Sequence, residues 1–145
     1  MVLPVFTFVG FVLLKRPKVG VDMENMMREK NIPLFALESR EPITNFDVIA
    51  FTLQYELSYT NILNMLDLAG IPVKAKDRTE LTPIVIGGGP CVCNPEPMAD
   101  FFDLFVIGEG EEVNLELMAL YEKMKPNNPT KREFLLEAAK IEGIY

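Results

Sequence analysis

The chain has 145 residues, with 21 acidic against 14 basic side chains and a formal charge of −7. That length suits one domain, for which roughly 100–200 residues is usual, and a hydrophobic share of 49% against 24% charged is the balance of a folded globular chain. The acidic surplus argues against nucleic acid as a partner, because affinity for phosphates comes from Lys and Arg. The absence of His excludes His-based catalysis and His-ligated metals within the chain.

Val2 to Leu14 is nearly all apolar and is followed by Lys15, Arg16 and Lys18. Its 13 residues fall short of the roughly 20 that cross a bilayer. A signal peptide would carry its positive charge before the apolar run rather than after it. Two readings stay open: a buried strand interrupted by Pro4 and Gly10, or a start that is not the natural beginning of the domain. Residues 1–21 are therefore set apart as an atypical apolar segment, and no membrane association is expected. The expected compartment is the cytoplasm. Cys91 and Cys93, the two cysteines, suit that reducing setting and are read as small loop residues.

From there the hydrophobic period alternates. Asp22 to Lys30 predicts a short helix capped by Asp22, with Met23, Met26 and Met27 as its apolar stripe. Ile32 to Leu37 predicts a short strand, and Glu41 to Asn45 a turn-rich break. Asp47 to Leu53 is a nearly continuous apolar run, the pattern of a strand covered on both faces. A helix starting at Ser58 or Thr60 runs through Ala69, is stopped by Gly70 and is closed off by Pro72. Thr82 to Ile86 predicts another buried strand, running into Gly87-Gly88-Gly89-Pro90. Pro95 to Phe102 suggests a short helix. Asp103 to Ile107 predicts a strand ending at Gly108-Glu109-Gly110. Glu111 to Met124 is helical, with Val113, Leu115, Leu117, Met118 and Leu120 on its inner side. Lys125 to Pro129 is a polar linker, and Thr130 caps a last helix to about Lys140.

Strands alternating with helices predict an α/β fold: three layers, with a mostly parallel sheet between helices. The strands near 33–37, 47–53, 82–86 and 103–107 should lie parallel in one sheet, with the last two adjacent. Ligands of such sheets bind beyond the carboxyl ends of the strands. The unusual residues collect at those ends.

Gln54, Tyr55, Glu56, Ser58, Tyr59, Thr60 and Asn61 form a dense polar run after a buried strand, readable as a lined site or as capping and packing. Gly87 to Gly89 either admits a ligand to the backbone or makes a tight turn. It has neither the Lys and Ser/Thr of a phosphate loop nor the spacing of a dinucleotide fingerprint. Glu109, Glu111 and Glu112 open a helix, where carboxylates gain from the macrodipole and would disfavour a bound phosphate. No catalytic residue and no metal ligand set emerges. Cys91-x-Cys93 is closer than structural zinc pairs, and too few ligands are present for an iron–sulfur cluster.

Three stretches together carry a family resemblance: Gly87-Gly88-Gly89-Pro90, then Asn94-Pro95-Glu96-Pro97, then Asp103-Leu104-Phe105-Val106-Ile107-Gly108-Glu109-Gly110-Glu111-Glu112. They resemble the cobalamin-binding-type domain that precedes the radical S-adenosylmethionine (SAM) barrel. The run from Phe51 to Asp67 narrows the likeness to an uncharacterised bacterial group, over about Asp22 to Tyr145. The resemblance implies a flavodoxin-like, Rossmann-like sheet, with 22–125 as the cobalamin-binding-like domain and 126–145 as a helix leading toward a radical SAM domain. It implies cobalamin as cofactor, its nucleotide tail lying along the carboxyl edge. Thr52, Leu53, Gln54 and Gly87 to Gly89 would line that tail, and Gly108, Glu109 and Gly110 would flank it. Tyr55, Glu56, Ser58 and Pro90 complete the candidate set. The cobalt-ligating His of many such domains is absent, as is the Cys-x-x-x-Cys-x-x-Cys cluster motif. Iron–sulfur cluster and SAM would thus belong to a downstream catalytic domain, which is the implied partner, and this chain looks like an isolated or truncated first domain. Three functional readings follow: an accessory domain positioning a corrinoid or a substrate, a scaffold that has lost cofactor binding, or a small flavin- or nucleotide-using enzyme. The last would want basic or hydroxyl residues in the glycine loop, which has none. Homo-oligomers are expected too, with Val5 to Leu14 at the contact, because the usual first strand and helix are not found.

Overall fold

The structure is a computed structural model, and it describes residues 6–8 and 23–145. Four strands form one sheet in the order β1 (Phe6–Phe8), β2 (Val48–Thr52), β3 (Ile84–Gly88) and β4 (Leu104–Phe105), every neighbouring pair parallel. The helices are α1 (Met23–Lys30), α2 (Tyr59–Leu68), α3 (Gly110–Met124) and α4 (Lys131–Ala138).

Alternation along the strands sends side chains to two cores, as pleating requires. Ile49, Phe51, Leu53, Val85 and Phe105 pack with Ile62 and Leu66 of α2. Val48, Ile84, Ile86, Leu104 and Val106 pack with Leu117 and Tyr121 of α3 and with Phe134 and Ala138 of α4. The near-continuous apolar runs are thus a consequence of burial on both faces. The expected α/β, three-layer, mostly parallel arrangement is the one observed, and the strands near 82–86 and 103–107 are adjacent.

One of the four expected strands is not in the sheet. Residues 33–37 make a single antiparallel bridge, Phe35 with Pro42, and the place beside β2 is taken by Phe6–Phe8. Pro33 has no N–H to give a ladder, and Arg40 turns the chain back at φ 60°. The segment then bonds to itself and to α2: Ala36 N–H donates to Glu41 O, Ile43 N–H to Leu34 O, and Leu34 N–H to Leu68 O. The apolar segment thus holds a strand, one of its two open readings, and the helix expected over Asp22 to Lys30 follows as α1. The remainder of Val5 to Leu14, expected at an intermolecular contact, lies outside the described residues, as does Asp22.

Helix boundaries follow local chemistry. Gly70 ends α2 at φ +71°, and Ile71 N–H reaches back to Leu66 O at 3.0 Å, the Schellman pattern of a glycine stop. Thr130 and Glu133 form a capping box at α4: Thr130 Oγ1 accepts from Glu133 N–H, and Glu133 accepts from Thr130 N–H. The expected inner faces needed repair in two places. Leu115 is 72% exposed, while Tyr121, not expected inside, is 1% exposed. Of the α1 stripe only Met27 is buried; Met23 and Met26 are exposed.

Candidate functional site at the carboxyl edge

All thirteen sequence-predicted site residues fall at the carboxyl ends of β2, β3 and β4 or in the segments that follow them. After β2 the pairing with β3 runs on: Leu53 N–H donates to Gly88 O at 2.7 Å, and Cys91 N–H donates to Leu53 O at 3.0 Å. Leu53 is consequently buried, and Thr52 is half-buried, while Gln54, Tyr55 and Glu56 stand in solvent. Ser58 is fully buried; its hydroxyl donates to Tyr55 O at 2.7 Å. It ties the turn into α2 and offers nothing outward.

The three glycines play different parts. Gly87 and Gly88 belong to β3, so the strand reaches two residues further than expected. Gly87 sits between Phe51 and Phe105 in register. A Cβ there would lie 2.6 Å from the Phe105 ring and 2.9 Å from Leu53 Cδ1, so the missing side chain is replaced by protein atoms. Gly88 faces open space, with nothing within 4 Å of a Cβ. Gly89 makes the turn at φ +96°, pressed against Thr52 and the Leu53 backbone, and Pro90 is exposed at the start of a short 3-10 turn, Pro90–Cys93.

After β4, Val106 N–H still bonds to Gly87 O at 2.8 Å. Gly108 then turns the chain at φ +98° with open space around it, and Glu109 stands as N-cap of α3, making no side-chain cap bond. Gly110 leaves room for Asn114, whose Nδ2 would lie 2.7 Å from a Cβ. Gly143 to Tyr145 folds back antiparallel along this side of β4, with Tyr145 N–H donating to Phe105 O at 3.0 Å. The Tyr145 hydroxyl donates to Glu96, and those contacts raise its pKa. Tyr59 is pushed up as well, first by burial and then by nearby Cys91 and Glu56. Cys91 and Cys93 are free thiols, the latter exposed.

The opposite, amino edge holds a charged cluster that the sequence reading missed. The Asp103 carboxylate, 1% exposed, accepts from Val85 N–H at 2.7 Å, from Arg78 Nη2 at 3.1 Å and from Lys131 Nζ at 3.4 Å. Arg78 also donates to Asp103 from Nε at 3.4 Å, and to Pro72 O, Val73 O and Phe101 O, and Lys131 donates to Pro83 O. Burial lowers the Lys131 pKa, with Asp103 opposing. One signal was readable: Lys131 shares a helical stripe with Phe134 and Ala138, at i+3 and i+7. The crossover loop that supplies Arg78 carries no such sign. Among the described residues no group of three or more His, Cys, Asp or Glu could hold a metal, and no helix is long and apolar enough to cross a membrane.

Comparison with known proteins places this geometry. The family model for the N-terminal domain of radical SAM proteins matches residues 17–145. The chain belongs to this family. The match leaves out Phe6–Phe8, the edge strand beside β2. An uncharacterised protein of the archaeon Methanocaldococcus jannaschii is similar at 34% identity over 119 residues, covering 81% of this chain and 25% of the relative. The chain thus spans about a quarter of that relative's length, and the bacterial confinement implied by the resemblance gains no support from it. No solved structure matches the chain.

Part of the set named for a nucleotide-tailed corrinoid is not available to it. No His can meet cobalt. The Ser58 hydroxyl is turned inward, and the space above Gly87 is filled by Phe105 and Leu53.

Proposed function

We propose that this chain is an accessory domain of a radical SAM protein, whose carboxyl edge faces the catalytic domain and helps to hold substrate there. The observation that carries the reading is the concentration of exposed, glycine-bearing segments on one edge of a domain from this family. Cluster and SAM chemistry belong, in this reading, to the part of the protein represented by the other three quarters of the relative. Thr52, Gln54, Tyr55, Glu56, Gly88, Gly89, Pro90, Gly108 and Glu109 are the residues that would meet substrate or partner; Leu53, Ser58, Gly87 and Gly110 shape their backbone. A corrinoid at the same edge is the second reading, and open Gly88 is the observation that favours it.

The test uses this chain and the relative. After anaerobic reconstitution with iron and sulfide, this chain should bind no cluster and cleave no SAM under reduction. The relative without its matched quarter should do both. SAM cleavage by this chain alone would sink the accessory reading. Hydroxocobalamin bound at micromolar affinity and lost in Gly88→Leu would instead establish the corrinoid reading. Self-association is part of the proposal too: light scattering after size exclusion should show a dimer or larger assembly for the full chain, and a monomer at tens of micromolar would refute it.

A further inference from the structure

At the carboxyl edge three large apolar side chains stand partly in solvent. Leu57 is 85% exposed, Tyr55 43% and Ile107 38%, on loops that follow β2 and β4. Strands two apart in a sheet are separated by about 10 Å, so these side chains sit at the scale of one contact patch. Segments 53–61, 87–98 and 107–112 contain Glu56, Glu96, Glu109, Glu111 and Glu112 and not one Lys or Arg. Among the described residues this edge thus combines apolar side chains with a rim of one charge sign, the mark of a protein-contact surface. A second copy would set the same glutamates against themselves, at a cost in repulsion. A phosphate-bearing ligand would meet carboxylates as well, with the buried Ser58 hydroxyl unable to help.

We infer that this edge docks directly against a basic-rimmed apolar surface of the radical SAM catalytic domain, with no nucleotide-tailed cofactor between them. The inference rests on the accessory reading above and adds the chemistry of the partner. The length of the relative, of which this chain matches 25%, leaves ample chain for such a surface. The five glutamates then steer and register the contact, while Leu57 and Tyr55 are its desolvated anchors.

The experiment fuses this chain to the unmatched three quarters of the relative and follows amide hydrogen exchange, with this chain alone as reference. Segments 53–61, 87–98 and 107–112 should exchange about tenfold or more slowly in the fusion. That protection should weaken in about 1 M NaCl, where the screening length is about 3 Å, and in the fusion carrying Glu109→Gln, Glu111→Gln and Glu112→Gln. Leu57→Asp, at a site too exposed to disturb folding, should remove it. Protection confined to another face, or unchanged by salt and by both variants, would overturn the inference while leaving the accessory reading intact. So would hydroxocobalamin protecting these segments in the chain alone. Failure of the accessory reading has a separate signature, SAM cleavage by this chain without a partner.

Discussion

The two edges of the sheet are built from the same strands and treated in opposite ways. At the amino edge, Arg78, Asp103 and Lys131 are drawn from a crossover loop, the bend before β4 and the start of α4 into one buried cluster whose donors reach carboxylate or carbonyl oxygens. At the carboxyl edge, carboxylates stand in solvent, glycines turn the chain, and the buried polar group, Ser58, serves the local turn. The difference teaches where the fold is fastened and where it is left free for contact. Buried charge is tolerated where several elements converge to satisfy it; an edge meant to receive another surface keeps its polar groups outside.

The contrast can be broken first at Asp103. Asp103→Ala leaves Arg78 and Lys131 buried without their carboxylate and should cost about 3–5 kcal/mol, read as a lowered urea midpoint. A loss near zero would mean that the amino edge is not the fastening. Next, Gly87→Ala puts a methyl into the Phe105 ring and should cost about 1–3 kcal/mol. Gly88→Ala, one residue on in open space, should cost much less and leave thermal unfolding nearly unchanged. Equal losses at the two positions would erase the distinction between packing glycine and open glycine. Smaller still, Thr130→Ala removes the α4 cap and should cost about 1 kcal/mol.

The smallest effect depends on pH. Backbone and side-chain bonds from Thr130 hold the Glu133 pKa below the usual carboxylate value. Its stabilisation is therefore present above the unfolded-state pKa and lost as pH falls through the folded one. Urea midpoints of the wild type and Glu133→Gln should differ at neutral pH and converge on acidification. Lys131 has the opposite sign. Its folded pKa is depressed, chiefly by burial, so the native state sheds its proton first. Its contribution to stability rises as pH climbs from that lowered value toward the ordinary lysine range. The difference between wild type and Lys131→Met should therefore shift in favour of the wild type with rising pH, and a shift the other way would contradict the buried placement.

Much of this was readable in one dimension, for stated reasons. Val48–Thr52 and the 84–86 part of β3 were legible because two covered faces force continuous apolar runs, and α2 and α4 because Gly70 and Thr130 are local signals acting on their own backbone. The layering and the gathering of all candidate site residues on one edge follow from parallel strands joined by crossovers. Residues 33–37 misled because a short apolar run has the same composition in a strand and in a packed loop; Pro33 and the turn at Arg40 decided between them.

What tertiary structure alone decided concerns partners distant in the chain. Which of three consecutive glycines is packed, open or turning depends on Phe105 of β4 and on Thr52 and Leu53 at the end of β2. Arg78 meets Asp103 at a sequence separation of 25, a pairing no local pattern encodes. Local propensity and hydrophobic period are properties of a segment and can be read from it; satisfaction of a buried charge, or the filling of a missing side chain's space, is a property of the neighbours that folding supplies.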